Sequence, residues 1–406
     1  MKKILIVTPK FPYPSYGACE QDRAAGIEMF KKMGYEVMVV TKIYSEEYKK
    51  DVEEVTKKLH IKIIPVCYKY LHIAMSWRKI IFGLKRLFQP WYWDGAAFEY
   101  SEPEIQHELR NALESFRPDI VWFDYTYLWP LYKMVRCRRI PLITRSINFE
   151  PNHFLEEDGR SIINYFKFLP KLLTEFIMSR LSNVVCAITP QEAELYKKIG
   201  ARRVVILPLR GLSHLLMRTQ EIHDRVPLNV FFSGSTYNVA HNRKALEFLL
   251  KQIVPDVQSK FPNQFIFHIF GGKIPKGLSK YFIRGVVKHD YLPQDAFEDL
   301  MTQMDIAIAP SLYGAGMQQK IFEPLSRGFP TITSARGLAG YPFKENIHLL
   351  LAHTSDEFVA RLAVLKDIGV RRRLGHSART MGMQFFSEES IGNILQKTLI
   401  TSSFKN

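Results

Sequence analysis

Short apolar runs recur along the chain, each cut off by proline, glycine or a polar cluster. Residues 4–7 stop at Pro9, and turn formers fill the stretch from Pro9 to Gly17. A helical pattern then runs through Met29 and Phe30 to Gly34, and a second apolar run covers residues 37–40. Strand, helix, strand at this spacing predicts a βαβ unit. Ser101 with Glu104 three residues on reads as a capping box. The helix it heads carries Ile105, Leu109, Ala112, Leu113 and Phe116 on one face, and Pro118 ends it. Further strands are expected at residues 120–123, 140–143, 184–188 and 204–207. Residues 211–227 hold no clear run and many basic and polar groups, so they read as a linker. The pattern restarts at residues 230–232 and continues at 265–270, 306–309 and 331–333. Near the end, Ile391, Ile394, Leu395 and Leu399 fall at helical spacing.

These runs predict two alternating α/β domains, over residues 1–210 and 228–385, followed by a helix over 386–406. Open parallel sheets bind ligands outside the carboxyl ends of their strands. With two such sheets, a cleft between the halves is the expected site. The length of 406 residues suits two domains, and 47% hydrophobic residues suffice for two cores. The four cysteines have no CxxC spacing and read as thiols of a reducing compartment. The first apolar run is shorter than the roughly 7–15 residues of a signal peptide. No stretch reaches the ~18 apolar residues of a membrane span. A cytoplasmic protein is therefore expected. The formal charge of +16 attracts polyanions: nucleic acid, anionic lipid or phosphorylated substrates. No nucleic-acid motif accompanies the basic groups, which disfavours the first.

Residues 309–331 carry the densest chemistry. An apolar strand ends at Pro310, Gly314 and Gly316 leave a loop uncrowded, and a helix is expected to start near Met317. A helix start favours a phosphate. Lys320 and Glu323 lie three apart on one helical face. The lysine can neutralise a diphosphate, and the carboxylate can accept from two vicinal hydroxyls. Gly328 closes the helix. Residues 68–93 mix bases with large apolar groups, most densely over 77–88, and end in Trp91, Tyr92 and Trp93, a pattern suited to an anionic membrane surface. Residues 166–169 extend that pattern. A solvated amphipathic core helix is the other reading.

The order Gly314-x-Gly316, Lys320, Glu323, Gly328-Phe329-Pro330 resembles the retaining family-4 glycosyltransferases of GT-B fold, the glycosyl transferases of group 1. The resemblance implies two Rossmann-like doubly wound α/β domains facing a cleft. It also implies that the final helix packs back on the N-terminal domain. It implies sugar transfer from a nucleotide-diphosphate donor to a glycan or lipid-linked acceptor hydroxyl, with retention, without metal or cofactor, in surface polysaccharide or glycoconjugate synthesis. Lys320 and Glu323 take the catalytic positions. Gly17, Ala18, Gly234, Ser235, Arg243, Gly314, Gly316 and Met317 take the donor-binding ones. Asn148 and Glu150 are acceptor-side candidates. The implied partners are a nucleotide-sugar, the acceptor and an anionic membrane on its inner face, with no nucleic acid. Two positions depart from the family pattern. Ala315 stands where many relatives have a sugar-binding glutamate, and Ile147 where a histidine is usual. A catalytically idle GT-B protein that binds a glycan or partner enzyme, or a nucleotide-sugar epimerase, remains open.

Overall fold

The computed structural model describes residues 1–15, 17–67, 77–311 and 317–402. The chain divides into two compact units: Met1–Gly211 with Ile391–Asn406, and Leu212–Ser390. The first holds a seven-stranded sheet, ordered β3-β2-β1-β4-β5-β6-β7. Its strands are β1 (Lys3–Thr8), β2 (Glu36–Ile43), β3 (Lys62–Cys67), β4 (Ile120–Phe123), β5 (Leu142–Arg145), β6 (Val184–Ala187) and β7 (Val204–Ile206). The second holds a six-stranded sheet, ordered β10-β9-β8-β11-β12-β13. These are β8 (Leu228–Thr236), β9 (Phe265–Gly272), β10 (Val286–His289), β11 (Ile306–Ala309), β12 (Thr331–Thr333) and β13 (Leu350–Leu351). Every strand pair is parallel. In both sheets the winding reverses beside the first strand, between β1 and β4 and between β8 and β11. Ligands of doubly wound folds sit at such switch points.

The central strands are buried on both faces, which is why they read as continuous apolar runs. Ile4, Ile6, Val37, Val39, Ile120, Trp122, Ile143 and Val184 share one cluster with Ile391, Leu395 and Leu399. The last helix, Glu388–Ser402, thus supplies core residues to the first unit. Residues 212–227 belong to the second unit. Leu212 and Leu216 are buried, the Gln220 N–H donates to the Arg327 carbonyl (2.8 Å), and Arg225 pairs with Asp305 (2.8 Å).

Some details differ from the sequence reading. Strands β3, β10 and β13 were not expected. The strand expected at 140–143 begins and ends two residues later. The capping box at Ser101 does not form. The helix runs Pro103–Phe116, Glu102 stands at its N-cap, and no side chain caps it. The Ser101 hydroxyl instead donates to the Phe98 carbonyl (2.7 Å), and the N-cap residue Glu102 gives its carboxylate to the fully buried Lys42 on β2 at 2.5 Å. Burial holds the Lys42 pKa down, and the Glu102 carboxylate supplies the counter-ion its buried ammonium needs.

A second buried network fastens the end of the first unit. Asp22 pairs with Arg145 (3.2 Å) and Arg210 (2.7 Å), and Arg210 also reaches Asp124 (2.9 Å). The Arg210 N–H donates to Asp22 as well (2.7 Å). Burial opposes the Asp22 charge, but Arg145 and Arg210 outweigh it and hold the carboxyl far below its usual range. Gly26 faces this guanidinium: a Cβ there would lie 2.0 Å from Arg210 Nη1.

Candidate functional site

The second unit gathers its polar groups around the β8/β11 switch point. Helix Gln319–Arg327 follows β11 and a loop. It starts two residues after Met317, whose side chain is buried rather than placed at a helix start. Its N-cap, Gln318, spends its side-chain oxygen on the Ser311 hydroxyl (2.5 Å). Lys320 lies in the first turn, and its Nζ donates to Asn242 Oδ1 at 3.0 Å. Asn242 is itself fixed: its amide donates to the Thr236 carbonyl at the end of β8 (3.1 Å). Two segments 78 residues apart thus meet at one ammonium. Burial lowers the Lys320 pKa to about 8, and no carboxylate compensates it among the described residues.

Glu323 stands one turn on. Its Oε1 accepts from Arg327 (2.7 Å), and Arg327 is braced in turn by both oxygens of Glu298 (2.7 and 3.0 Å). Glu323 Oε2 has no hydrogen bond among the described residues. The arrangement holds a carboxylate in one orientation with one oxygen available. Gly328 adopts φ +91° and ends the helix, a conformation that favours glycine.

Gly234 lies at the end of β8, buried beneath Tyr237, whose ring would lie 2.9 Å from an added Cβ. Glycine is required there for packing as well as for any ligand. Ser235 continues the strand backbone. Arg243 is half-buried near the start of helix Ala240–Phe248, with no resolved partner among the described residues. Gly314, Ala315 and Gly316 lie outside the described residues.

In the first unit, Gly17 is the N-cap of helix Ala18–Lys32, and Ala18 opens it. The Glu20 carboxylate folds back over Gly17, 2.5 Å from where a Cβ would stand, and pairs with Lys10 (3.0 Å). Burial would raise the Glu20 pKa, but the Lys10 hydrogen bond and Glu20's own N–H hold it low. This helix end therefore already carries a carboxylate.

Asn148 and Glu150 stand beyond the carboxyl end of β5, both half-exposed. Glu150 accepts from the Tyr125 hydroxyl. Beneath them runs a buried relay. Ser146 donates to the Asn148 carbonyl (2.9 Å) and meets the Tyr196 hydroxyl (2.7 Å). Tyr196 donates to Glu175 (3.0 Å), and Thr126 donates to its other oxygen (2.9 Å). Burial and the nearby Glu150 charge push the Glu175 pKa well up. Ile147, by contrast, is 4% exposed and belongs to the core.

Sequence reasoning missed Arg23, Tyr125, Glu175 and the Asp22–Arg145–Arg210–Asp124 network. Part of it had a signal: Asp124 and Tyr125 directly follow β4, and Arg145 ends β5, the positions that face ligands in this topology.

The first unit also bares a large apolar surface. Helix Trp77–Phe88 exposes Trp77, Ile81, Leu84, Leu87 and Phe88. Helix Ile162–Leu181 exposes Ile162, Ile163, Phe166 and Leu169. Arg86 and Trp93 exchange hydrogen bonds (both 2.7 Å) and tie the first helix to the turn that follows. A cavity of about 550 Å³ separates the two elements, lined by Arg86, Trp93, Phe166, Lys167 and Lys171 among others. Residues 68–76 lie outside the described residues. No described helix is long and apolar enough to cross a membrane.

Residues 227–367 match the family model "Glycosyl transferases group 1". No curated protein matches the chain. Solved structures similar to it include Anabaena Alr3699/HepE in complex with UDP, at 14% identity over 99% of this chain and 100% of that one, with a TM-score of 0.67. TarM, which another structure identifies as an S. aureus protein, is 11% identical over 100% and 99%, with a TM-score of 0.69. Sucrose-phosphate synthase from Thermosynechococcus elongatus is 14% identical over 99% of both chains, with a TM-score of 0.65.

Proposed function

From the premise that the chain is a glycosyltransferase of GT-B fold with a group 1 glycosyl transferase domain over residues 227–367, we propose that it moves a sugar from a nucleoside-diphosphate donor to a glycan or lipid-linked hydroxyl. The observation that carries this is the half-buried Lys320, held by Asn242 with no carboxylate beside it among the described residues, one helical turn from the braced Glu323. As the donor bond breaks, its electron pair stays on the diphosphate, and negative charge grows there. A preoriented ammonium in a poorly solvated site stabilises that charge strongly. Glu323 presents its available oxygen to the ribose hydroxyls. In the second unit, the half-buried Arg243 and the backbone at Gly234 and Ser235 serve the donor in this reading. Asn148 and Glu150 receive the acceptor. Retention of configuration, family-4 membership and a role in surface glycan synthesis belong to the same reading. That HepE binds UDP supports the donor class.

The apolar surface of helices Trp77–Phe88 and Ile162–Leu181 meets an anionic bilayer in this reading, which makes the protein a peripheral one. The net charge of +16 favours an anionic partner. Such a surface brings a lipid-linked acceptor within reach.

Release of free nucleotide from UDP-, GDP- and ADP-sugars, with lipid extract as acceptor, tests the reaction. Glu323→Ala should weaken nucleotide binding at least tenfold in calorimetry; unchanged binding removes the ribose role. The core position of Ile147 favours one competitor, an idle glycan-binding protein, because no polar side chain reaches the acceptor from there. Nucleotide binding without turnover on any donor would establish that competitor instead.

A further inference from the structure

Arg23 lies in helix Ala18–Lys32 of the first unit and keeps only 5% of its surface accessible. Among the described residues its guanidinium makes no hydrogen bond and no ion pair, and its Nε is enclosed without a partner. Its recorded contact is with the Tyr125 ring, 5.6 Å from the centroid. Other buried cations of the same unit are treated differently. Arg145, Arg210 and Lys42 each have a carboxylate within 3.2 Å. Burial opposes the Arg23 charge, and the nearby Tyr127, Cys19 and Asp124 outweigh it and hold the pKa up, yet none of them is hydrogen-bonded to the guanidinium, and Asp124 Oδ2 is also buried without a partner. A buried guanidinium whose hydrogen-bond donors are left without partners costs free energy. A fold carries that cost where a ligand relieves it.

The position agrees. Tyr125 follows β4 at the switch point of the first sheet, and Arg23, on the helix after β1, lies against its ring. Half-exposed Cys19, Tyr127 and Glu150 surround them, and Tyr125 connects Arg23 on one side to Glu150 on the other. One guanidinium neutralises one charge. The Glu150 and Asp124 carboxylates nearby repel a doubly charged group such as a phosphate monoester.

We propose that Arg23 binds a singly charged oxyanion on the acceptor, the carboxylate of an acidic sugar or a phosphodiester, while Glu150 receives a neighbouring hydroxyl. The proposal rests on the glycosyl-transfer reading and specifies its acceptor.

The test uses the full chain and its Arg23→Met and Arg23→Lys variants. The probes are glucuronate, dimethyl phosphate, methyl phosphate and glucose, followed by saturation-transfer NMR, with UDP calorimetry on the same samples. Glucuronate or dimethyl phosphate should bind better than glucose and methyl phosphate, and whichever binds identifies the source of the oxyanion. Arg23→Met should lose at least tenfold in that binding, the range expected for a charge-assisted hydrogen bond. Arg23→Lys should keep part of it. Without ligand, Arg23→Met should melt no lower than wild type, since it removes buried donors that have no hydrogen-bond partner. Equal anion binding by wild type and Arg23→Met overturns the site. So does a lower melting temperature of Arg23→Met with anion binding undiminished in Arg23→Lys, which marks Arg23 as structural or satisfied by ordered water only. Loss of UDP binding alone sinks the donor reading and leaves the Arg23 result standing; intact UDP binding without anion binding sinks only the latter.

Discussion

Lys320 shows how a single residue can trade stability against chemistry. Its folded pKa of about 8 lies below the ordinary lysine value of 10.5. A depressed pKa contributes stability above the unfolded value and loses it as pH falls through the folded one. At pH 7 the free protein therefore carries a charged, poorly solvated ammonium at a cost on the order of 1–3 kcal/mol. Lys320→Met should raise the melting temperature at pH 7 and have less effect near pH 10. UDP affinity of the wild type should fall as pH rises above about 8, and that of the variant should be weak and flat; calorimetry at pH 7 and 9.5 checks both. Glu175 has the opposite sign. Its raised pKa gives stability that is full below about 4.5 and is lost as pH rises. Glu175→Gln should flatten that dependence and melt higher than wild type at pH 8, as scanning calorimetry would show. The spacing of Lys320 and Glu323 was legible in the sequence because both sit on one short helix. Arg23 was not: between Asp22 and Ala24 it looks like any solvated helix start, and its isolation arises only from what the fold packs around it.

At the scale of elements, central strands were legible and edge strands were not. β3 contains Pro65 and begins with Lys62, and β10 contains Lys288. Such residues belong on sheet edges, where one side needs no ladder partner, and they erase the apolar run that marks a strand. The failed cap at Ser101 has another origin, because its hydroxyl donates to the Phe98 carbonyl three residues back. The exposed faces of helices Trp77–Phe88 and Ile162–Leu181 make a prediction of their own. Each large apolar side chain entering a bilayer interface contributes on the order of 1 kcal/mol. Replacing Trp77, Leu87 and Phe88 together by serine should cut co-sedimentation with phosphatidylglycerol vesicles at least tenfold without lowering the melting temperature. Undiminished binding would remove this surface as the contact.

At the scale of the molecule, the sequence pattern revealed two α/β halves, but the ownership of segments between and after them depends on packing. Residues 212–227 look polar and unstructured in sequence, yet Leu212, Leu216 and Arg225 fasten them to the second unit. The chain passes from one unit to the other at Gly211–Leu212 and returns at Ser390–Ile391. Leu395 is fully buried among first-unit strands, so Leu395→Ala should destabilise by about 2–5 kcal/mol. Calorimetry should show the loss in the transition of the first unit, and a loss confined to the second would refute the assignment. The same return has a consequence in time. On the ribosome, the first unit emerges before the residues that complete its core, and the whole second unit must be made in between. At ~5–20 residues per second that interval is roughly 10–40 s. For that period the nascent chain holds an apolar groove with nothing to fill it, a natural place for a chaperone to wait.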